Sequence, residues 1–155
     1  MCTGKNKKMA IKVLVIDDDK AITELLSMLL KTHDFEVVTS NSGCEGIQLV
    51  KDTNPNAVLL DLMMPDKDGW EVCKTIRKFS NVPILILSAL NDPGMIASVL
   101  DAGADDYLVK PVPSGTLVAH IKKLVRRTTG ALNGLKQSSN SLTSETHPPL
   151  SKYSN

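Results

Sequence analysis

The sequence has few aromatic residues, few cysteines and little net charge. Aromatic residues make up 3% of its 155 residues, so aliphatic side chains must fill the core that its 42% apolar content permits. A net charge of +1 does not indicate direct binding to nucleic acid, and the three cysteines form no Cys-x-x-Cys pair. We therefore expect neither a disulfide framework nor a zinc site, and we predict a cytoplasmic location. No apolar run approaches the length of about 20 residues that crosses a bilayer, so no membrane association is expected.

Five short aliphatic runs are predicted to be strands. The first, third and fourth runs are almost continuous in Val, Leu and Ile, which favours parallel strands that are covered by helices on both faces. The five runs cover residues 11–17, 35–40, 56–61, 82–88 and 106–110.

The segments between these runs have the patterns of helices. Apolar residues in 19–32 recur at spacings of three and four, which indicates an amphipathic helix. Ser42, Asp68 and Asp92 are suitable N-cap residues for the next three helices, and Ser114 is predicted to cap a last helix that ends near Arg127.

The alternation predicts an α/β fold with a doubly wound, five-stranded parallel sheet. The flavodoxin-like strand order 2-1-3-4-5 suits five βα units of this size. We expect one domain over residues 9–128, a disordered N-terminus over 1–8 and a flexible polar tail over 129–155.

Charged or polar residues end four of the five predicted strands. Asp17 and Asp18 follow the first, Asp61 ends the third, Ser88 the fourth and Lys110 the fifth. Carboxyl ends of parallel strands meet at one edge of a sheet, where three carboxylates would repel one another without a cation. Oxygen ligands favour Mg²⁺ over zinc or copper. The pattern predicts a phosphoryl-acceptor site with Asp61 as the nucleophile.

Four segments carry a resemblance to a known family. "VLVIDDDKAITELL", "VLLDLMMPDKDG", "PILILSA" and "GADDYLVKP" resemble the successive motifs of a two-component response-regulator receiver domain, over about residues 11–127. The resemblance implies a cis peptide between Lys110 and Pro111. It also implies the site residues: Asp61 as phosphoacceptor; Asp17, Asp18, Asp61 and the Met63 carbonyl as Mg²⁺ ligands; Ser88 and Tyr107 as switch residues; and Lys110 as the salt-bridge partner of the phosphoryl group.

The resemblance further implies a switch rather than an enzyme with a separate product. A histidine kinase or histidine phosphotransfer protein would donate the phosphoryl group, and the domain would assist its own phosphorylation and dephosphorylation. The face formed by helix 4, strand 5 and helix 5 would then change its preference for a downstream protein effector.

The segment "LVAHIKKLVRR" resembles the last receiver helix of OmpR/PhoB-type transcription factors. We expect the chain to be a stand-alone receiver or the receiver part of a winged-helix regulator. A charged network usually joins two subunits in that subfamily. Asp105, Asp106 and Lys122 fit this network, whereas Ile96, Thr116 and His120 stand where the subfamily usually carries further charged residues. We expect a monomer or a weak, phosphorylation-dependent dimer.

Three alternatives use parts of the same pattern. A haloacid-dehalogenase-type phosphatase would place its nucleophile motif at Asp17 and Asp19, but Ala21 departs from that motif. A flavodoxin-like cofactor binder would need a phosphate-binding loop where three aspartates follow the first strand. A pseudo-receiver would act as a docking module without phosphorylation, although all the phosphorylation residues are present.

Overall fold

The computed structural model describes residues 9–137, with side chains through residue 130. Within this range, five strands alternate with five helices, as the sequence predicts. The strands are β1 (Lys12–Ile16), β2 (Glu36–Ser40), β3 (Ala57–Leu60), β4 (Ile84–Ser88) and β5 (Asp106–Val109). The helices are α1 (Lys20–Thr32), α2 (Gly43–Thr53), α3 (Gly69–Arg77), α4 (Pro93–Asp101) and α5 (Ser114–Gln137). None of these helices is both long enough and apolar enough to span a bilayer.

The five strands form one parallel sheet in the order β2-β1-β3-β4-β5, which confirms the predicted fold. One face of the sheet packs on α2, α3 and α4 through residues such as Ile47, Val72 and Val99. The other face packs on α1 and α5 through residues such as Leu30 and Ile121. Because apolar side chains cover both faces, β1, β3 and β4 consist almost entirely of buried aliphatic residues.

The helix starts follow the predicted capping pattern at three of four positions. Ser42 Oγ accepts a hydrogen bond from the Glu45 N–H, and carboxylates of Asp68 and Asp92 cap α3 and α4 in the same way. The prediction for Ser114 was wrong, because α5 already includes this residue and the Leu117 N–H donates to the Pro113 carbonyl.

The last helix is longer than the sequence pattern predicts. α5 continues to Gln137, so the predicted end near Arg127 was wrong and position 128 lies inside a helix. Hydroxyls of Thr128 and Thr129 donate to carbonyls one turn earlier, so these polar side chains are hydrogen-bonded within the helix. The predicted disordered residues 1–8 and the remainder of the predicted tail, 138–155, lie outside the described residues.

Candidate functional site

Three aspartates come together at the carboxyl edge of the sheet. Asp17 and Asp18 follow β1, and Asp61 follows β3, which is paired directly with β1. One carboxylate oxygen from each of the three aspartates lies within 4.8 Å of the other two. The short loop after each strand leaves the side chains at this edge, so the strand pairing itself creates the cluster. Such a set of hard oxygen donors fits a divalent cation such as Mg²⁺.

Asp17 is the most constrained of the three aspartates. Its residue is 3% exposed, and Lys110 Nζ lies 3.0 Å from its Oδ2 atom. The Asp19 N–H donates to its Oδ1 atom at 2.9 Å. Because Lys110 directly follows β5, this ion pair connects the edge of the sheet to its centre. Asp17 therefore holds the amine in the acidic cleft.

The surroundings of Asp61 disfavour the ionised form of its carboxyl. Burial raises the pKa of its carboxyl above the ordinary value. Lys110 lowers that pKa, while Asp17 and, to a smaller extent, Asp18 raise it further. The Met63 N–H donates to Asp61 Oδ1 over a long distance of 3.4 Å. A cation or a positively charged neighbour in the cleft would therefore favour the ionised form of Asp61.

Ser88 and Tyr107 are connected through Leu90. The Ser88 side chain is fully buried, and its Oγ atom accepts a hydrogen bond from the Leu90 N–H at 3.3 Å. The Tyr107 hydroxyl donates to the Leu90 carbonyl at 2.7 Å. The backbone N–H and carbonyl of Leu90 therefore join the two predicted switch residues. The sequence did not predict this role for Leu90. An aliphatic side chain gives no sequence signal for such a backbone role.

The carboxylates at the start of β5 are engaged within the chain. Asp105 accepts hydrogen bonds from Arg77 and from the Ile84 N–H, both at 2.8 Å. Asp106 lies 2.6 Å from His120 Nδ1 on α5. These are the acidic positions that the OmpR/PhoB resemblance places in a network between subunits. Their internal contacts compete with such a network.

The segment between β2 and α2 also contacts the cleft, which the sequence did not predict. Asn41 Nδ2 donates to the Asp17 carbonyl at 2.8 Å, and Asp66 Oδ2 accepts from the Gly43 N–H at 2.9 Å. Asn and Asp are ordinary loop residues, so their types alone do not distinguish these contacts from local turns. The structure thus adds two residues to the surroundings of the aspartate cluster.

The chain resembles known proteins over most of its length. The family model described as "Response regulator receiver domain" matches residues 13–122 of this chain. The probable transcriptional regulator ycf27 of Cyanophora paradoxa is 44% identical over 123 residues, which are 79% of this chain and 50% of the relative. The transcriptional regulatory protein AfsQ1 of Streptomyces coelicolor is 41% identical over 115 residues, which are 74% of this chain and 51% of the relative. The chain spans about half the length of these curated relatives.

A solved structure shows the same fold. The crystal structure of the BeF3-activated N-terminal receiver domain of Klebsiella pneumoniae RstA superposes with a TM-score of 0.72 at 31% identity. The match covers 74% of this chain and 98% of the RstA domain. The region that the family model matches, residues 13–122, contains the aspartate cluster and, apart from Lys12, all five strands. The chain therefore belongs to the family of response-regulator receiver domains.

Proposed function

We propose that Asp61 is the phosphoacceptor of this receiver domain. A carboxylate oxygen of Asp61 would form a bond to phosphorus as the bond from phosphorus to a histidine nitrogen of the donor breaks. That nitrogen keeps the electron pair and takes up a proton. The donor is a histidine kinase or a histidine phosphotransfer protein, and the reaction takes place in the cytoplasm. The domain assists this transfer and the later hydrolysis of its own acyl phosphate, which releases inorganic phosphate, and it does not turn over a separate substrate.

The observation that carries the proposal is the difference between the two central carboxylates. Both oxygens of Asp17 are hydrogen-bonded, to Lys110 and to the Asp19 N–H. Asp61 accepts the long bond from Met63 on Oδ1. Among the residues that the structure describes, Oδ2 of Asp61 has no hydrogen-bond partner. This oxygen is therefore the one best placed to attack.

Two further side chains support the transferred group. Lys110 Nζ lies in the cleft on the Asp17 carboxylate, so it supplies a fixed positive charge beside the acceptor. The Ser88 hydroxyl would donate to a phosphoryl oxygen after the β4–α4 connection moves toward the site. This movement would change the contacts of Leu90, to which both Ser88 and Tyr107 are bonded.

The aspartate cluster would hold Mg²⁺ through Asp17, Asp18, Asp61 and the backbone carbonyl of Met63. When bound, Mg²⁺ supplies positive charge that stabilises the oxygens of the transferred group. The protein residues keep three carboxylate oxygens within 4.8 Å of one another, so they provide a site before the donor arrives.

The output of the switch is a downstream protein effector that reads the face formed by α4, β5 and α5. The two curated relatives named above are a probable transcriptional regulator and a transcriptional regulatory protein, which supports an output in transcription. Either this domain acts through a partner, or it is the receiver part of a winged-helix regulator. The internal pairs of Asp105 and Asp106 support a monomer or a weak, phosphorylation-dependent dimer.

The test is phosphorylation by acetyl phosphate in the presence of Mg²⁺, followed by intact-protein mass spectrometry. We expect one phosphoryl group per chain, its loss on treatment with hydroxylamine, and no labelling of Asp61→Asn. Asp101→Asn, an exposed charge-matched control at the end of α4, should label normally. Steady hydrolysis of phosphate esters that persists in Asp61→Asn would instead indicate a phosphatase. An unlabelled but Mg²⁺-binding wild type would indicate a pseudo-receiver.

A further inference from the structure

The loop that follows Asp61 is attached to the first turn of α2. Asp66 Oδ2 accepts hydrogen bonds from the Gly43 N–H at 2.9 Å and from Ser42 Oγ at 3.2 Å. A carboxylate at this position also interacts favourably with the positive end of the helix dipole. A side-chain carbon at Gly43 would lie 2.9 Å from Val72 Cγ2, so glycine permits the close approach.

The same segment is attached to the loop that carries the acidic pair. Asn41 Nδ2 donates to the Asp17 carbonyl at 2.8 Å and to Thr23 Oγ1 at 3.0 Å. The Asp17 N–H donates in turn to the Ser40 carbonyl at 3.1 Å. Residues 40–43 therefore contact the Asp17 loop on one side and the loop after Asp61 on the other.

These two loops contribute all of the carboxylates in the cluster. The carboxylates repel one another, and the loops that hold them are connections whose spacing the sheet fixes only at the strand ends. A cation site of high affinity needs its oxygens held at short and nearly constant separations. A segment that is hydrogen-bonded to both loops restricts how far they can move apart.

We propose that Asn41 and Asp66 are positioning residues for the metal and phosphoryl site. Residues 40–43 form a bridge between the two ligand-bearing loops, with Asn41 as its contact to Asp17 and Asp66 as its contact from the other loop. Neither residue touches the reacting atoms. This inference rests on the proposed function of the aspartate cluster. It assigns a role to Asn41, on the connection between β2 and α2, and to Asp66, in the loop that follows Asp61.

The experiment measures Mg²⁺ affinity by isothermal titration calorimetry and the KM and kcat for autophosphorylation with acetyl phosphate. The variants are Asn41→Ala, Asp66→Ala, the double variant and the conservative Asp66→Asn, with Asp101→Ala as a charge-matched control. Thermal unfolding without Mg²⁺ records whether each variant is folded. We expect Asn41→Ala and Asp66→Ala each to weaken Mg²⁺ binding by about tenfold, as for other residues that orient metal ligands. Autophosphorylation should slow at low Mg²⁺ and recover when Mg²⁺ is raised.

Two comparisons distinguish positioning from general stability. Asp66→Asn keeps an acceptor for the Gly43 N–H, so it should recover most of the affinity that Asp66→Ala loses. The double variant should bind Mg²⁺ about as weakly as the worse single variant, because either change opens the same bridge. Affinities of folded Asn41→Ala and Asp66→Ala within about twofold of wild type would overturn the proposal, as would additive losses in the double variant.

Mg²⁺ binding and labelling of the wild-type protein distinguish failure of the bridge from failure of the proposed function. If wild-type protein binds Mg²⁺ and is labelled at Asp61 while the two variants match it, only the bridge is wrong. If the wild type is not labelled and does not bind Mg²⁺, the proposed function of the cluster fails and the bridge fails with it.

Discussion

Strands β3 and β5 belong to the same sheet but meet solvent differently. Every residue of β3 is buried, whereas every residue of β5 is half-buried. β3 leads to Asp61, and β5 carries Tyr107 and leads to Lys110. A strand packed on both faces can move little without loss of core contacts, while an edge strand can change its contacts more easily. The proposed chemistry thus depends on the rigid centre of the sheet, and the proposed signal depends on its edge.

The largest test of this contrast compares the same substitution in the two strands. Leu59 on β3 is 1% exposed, and Leu108 on β5 is half-buried against the same apolar cluster. Leu59→Ala should lower the free energy of unfolding by about 3–5 kcal/mol, because it leaves a cavity in a packed core. Leu108→Ala should cost about 1–2 kcal/mol, since solvent already reaches that side chain. Urea denaturation measures both values, and equal losses would contradict the contrast.

A smaller effect concerns the ion pair that joins β5 to the centre. Lys110→Met leaves the buried Asp17 carboxylate without its amine, which should cost about 1–3 kcal/mol of unfolding free energy in Mg²⁺-free buffer. Added Mg²⁺ should recover part of the loss, because a cation again offsets the carboxylate charges. Lys12→Met removes a 3.9 Å pair with the exposed Glu36 carboxylate and a hydrogen bond to the Thr53 carbonyl. It should cost about 0.5–1.5 kcal/mol, and Mg²⁺ should not change this loss. A Mg²⁺-independent loss in Lys110→Met would be inconsistent with its place in the cleft.

The hydroxyl of Tyr107 provides a more limited perturbation of the edge. Tyr107→Phe removes the hydrogen bond to the Leu90 carbonyl and keeps the ring, so unfolding free energy should fall by about 0.5–1.5 kcal/mol. Labelling of Asp61 by acetyl phosphate should remain close to that of wild type, because the bond lies on the signalling side. Loss of labelling in a folded Tyr107→Phe variant would show that edge and centre are not separable in this way.

The smallest expected effect is a gain in stability, from the substitution of Asp61. Burial raises the pKa of Asp61 in the folded chain, so its ionised form at neutral pH opposes folding. Asp61→Asn should therefore raise the urea midpoint at pH 7 in Mg²⁺-free buffer. This gain should shrink as pH falls toward the ordinary aspartate range, since the folded wild type then binds a proton at Asp61. Asp101→Asn is the control, and a lower midpoint for Asp61→Asn at pH 7 would contradict the assigned cost.

The sequence predicts the sheet well because aliphatic runs and capping residues are local signals. The runs that contain Leu14, Leu59 and Ile86 become the central strands, and Asp61 falls at a strand end by counting alone. Strand order then places Asp17 and Asp61 on neighbouring strands. The site is thus predictable to the extent that it follows from strand ends.

Contacts between loops could not be predicted in the same way. Asn41 and Asp66 are distant in sequence from the groups they bind, and either residue type is common in a turn. The end of α5 was also missed, because Gly130 and two threonines are weak helix formers that helical context overrides. The half-buried state of β5 depends on its position at the edge of the sheet, which periodicity does not record.

The backbone amide of Asp17 is a site at which hydrogen exchange can be measured close to the acidic cluster. Its backbone N–H donates a hydrogen bond to the Ser40 carbonyl at the end of the neighbouring strand β2, and the residue is 3% exposed. The amide should therefore exchange slowly with deuterium although its carboxylate belongs to the cleft. The exchange rate of Asp17 would report, from inside the fold, how firmly the ligand loops are held before any metal or phosphoryl donor is added.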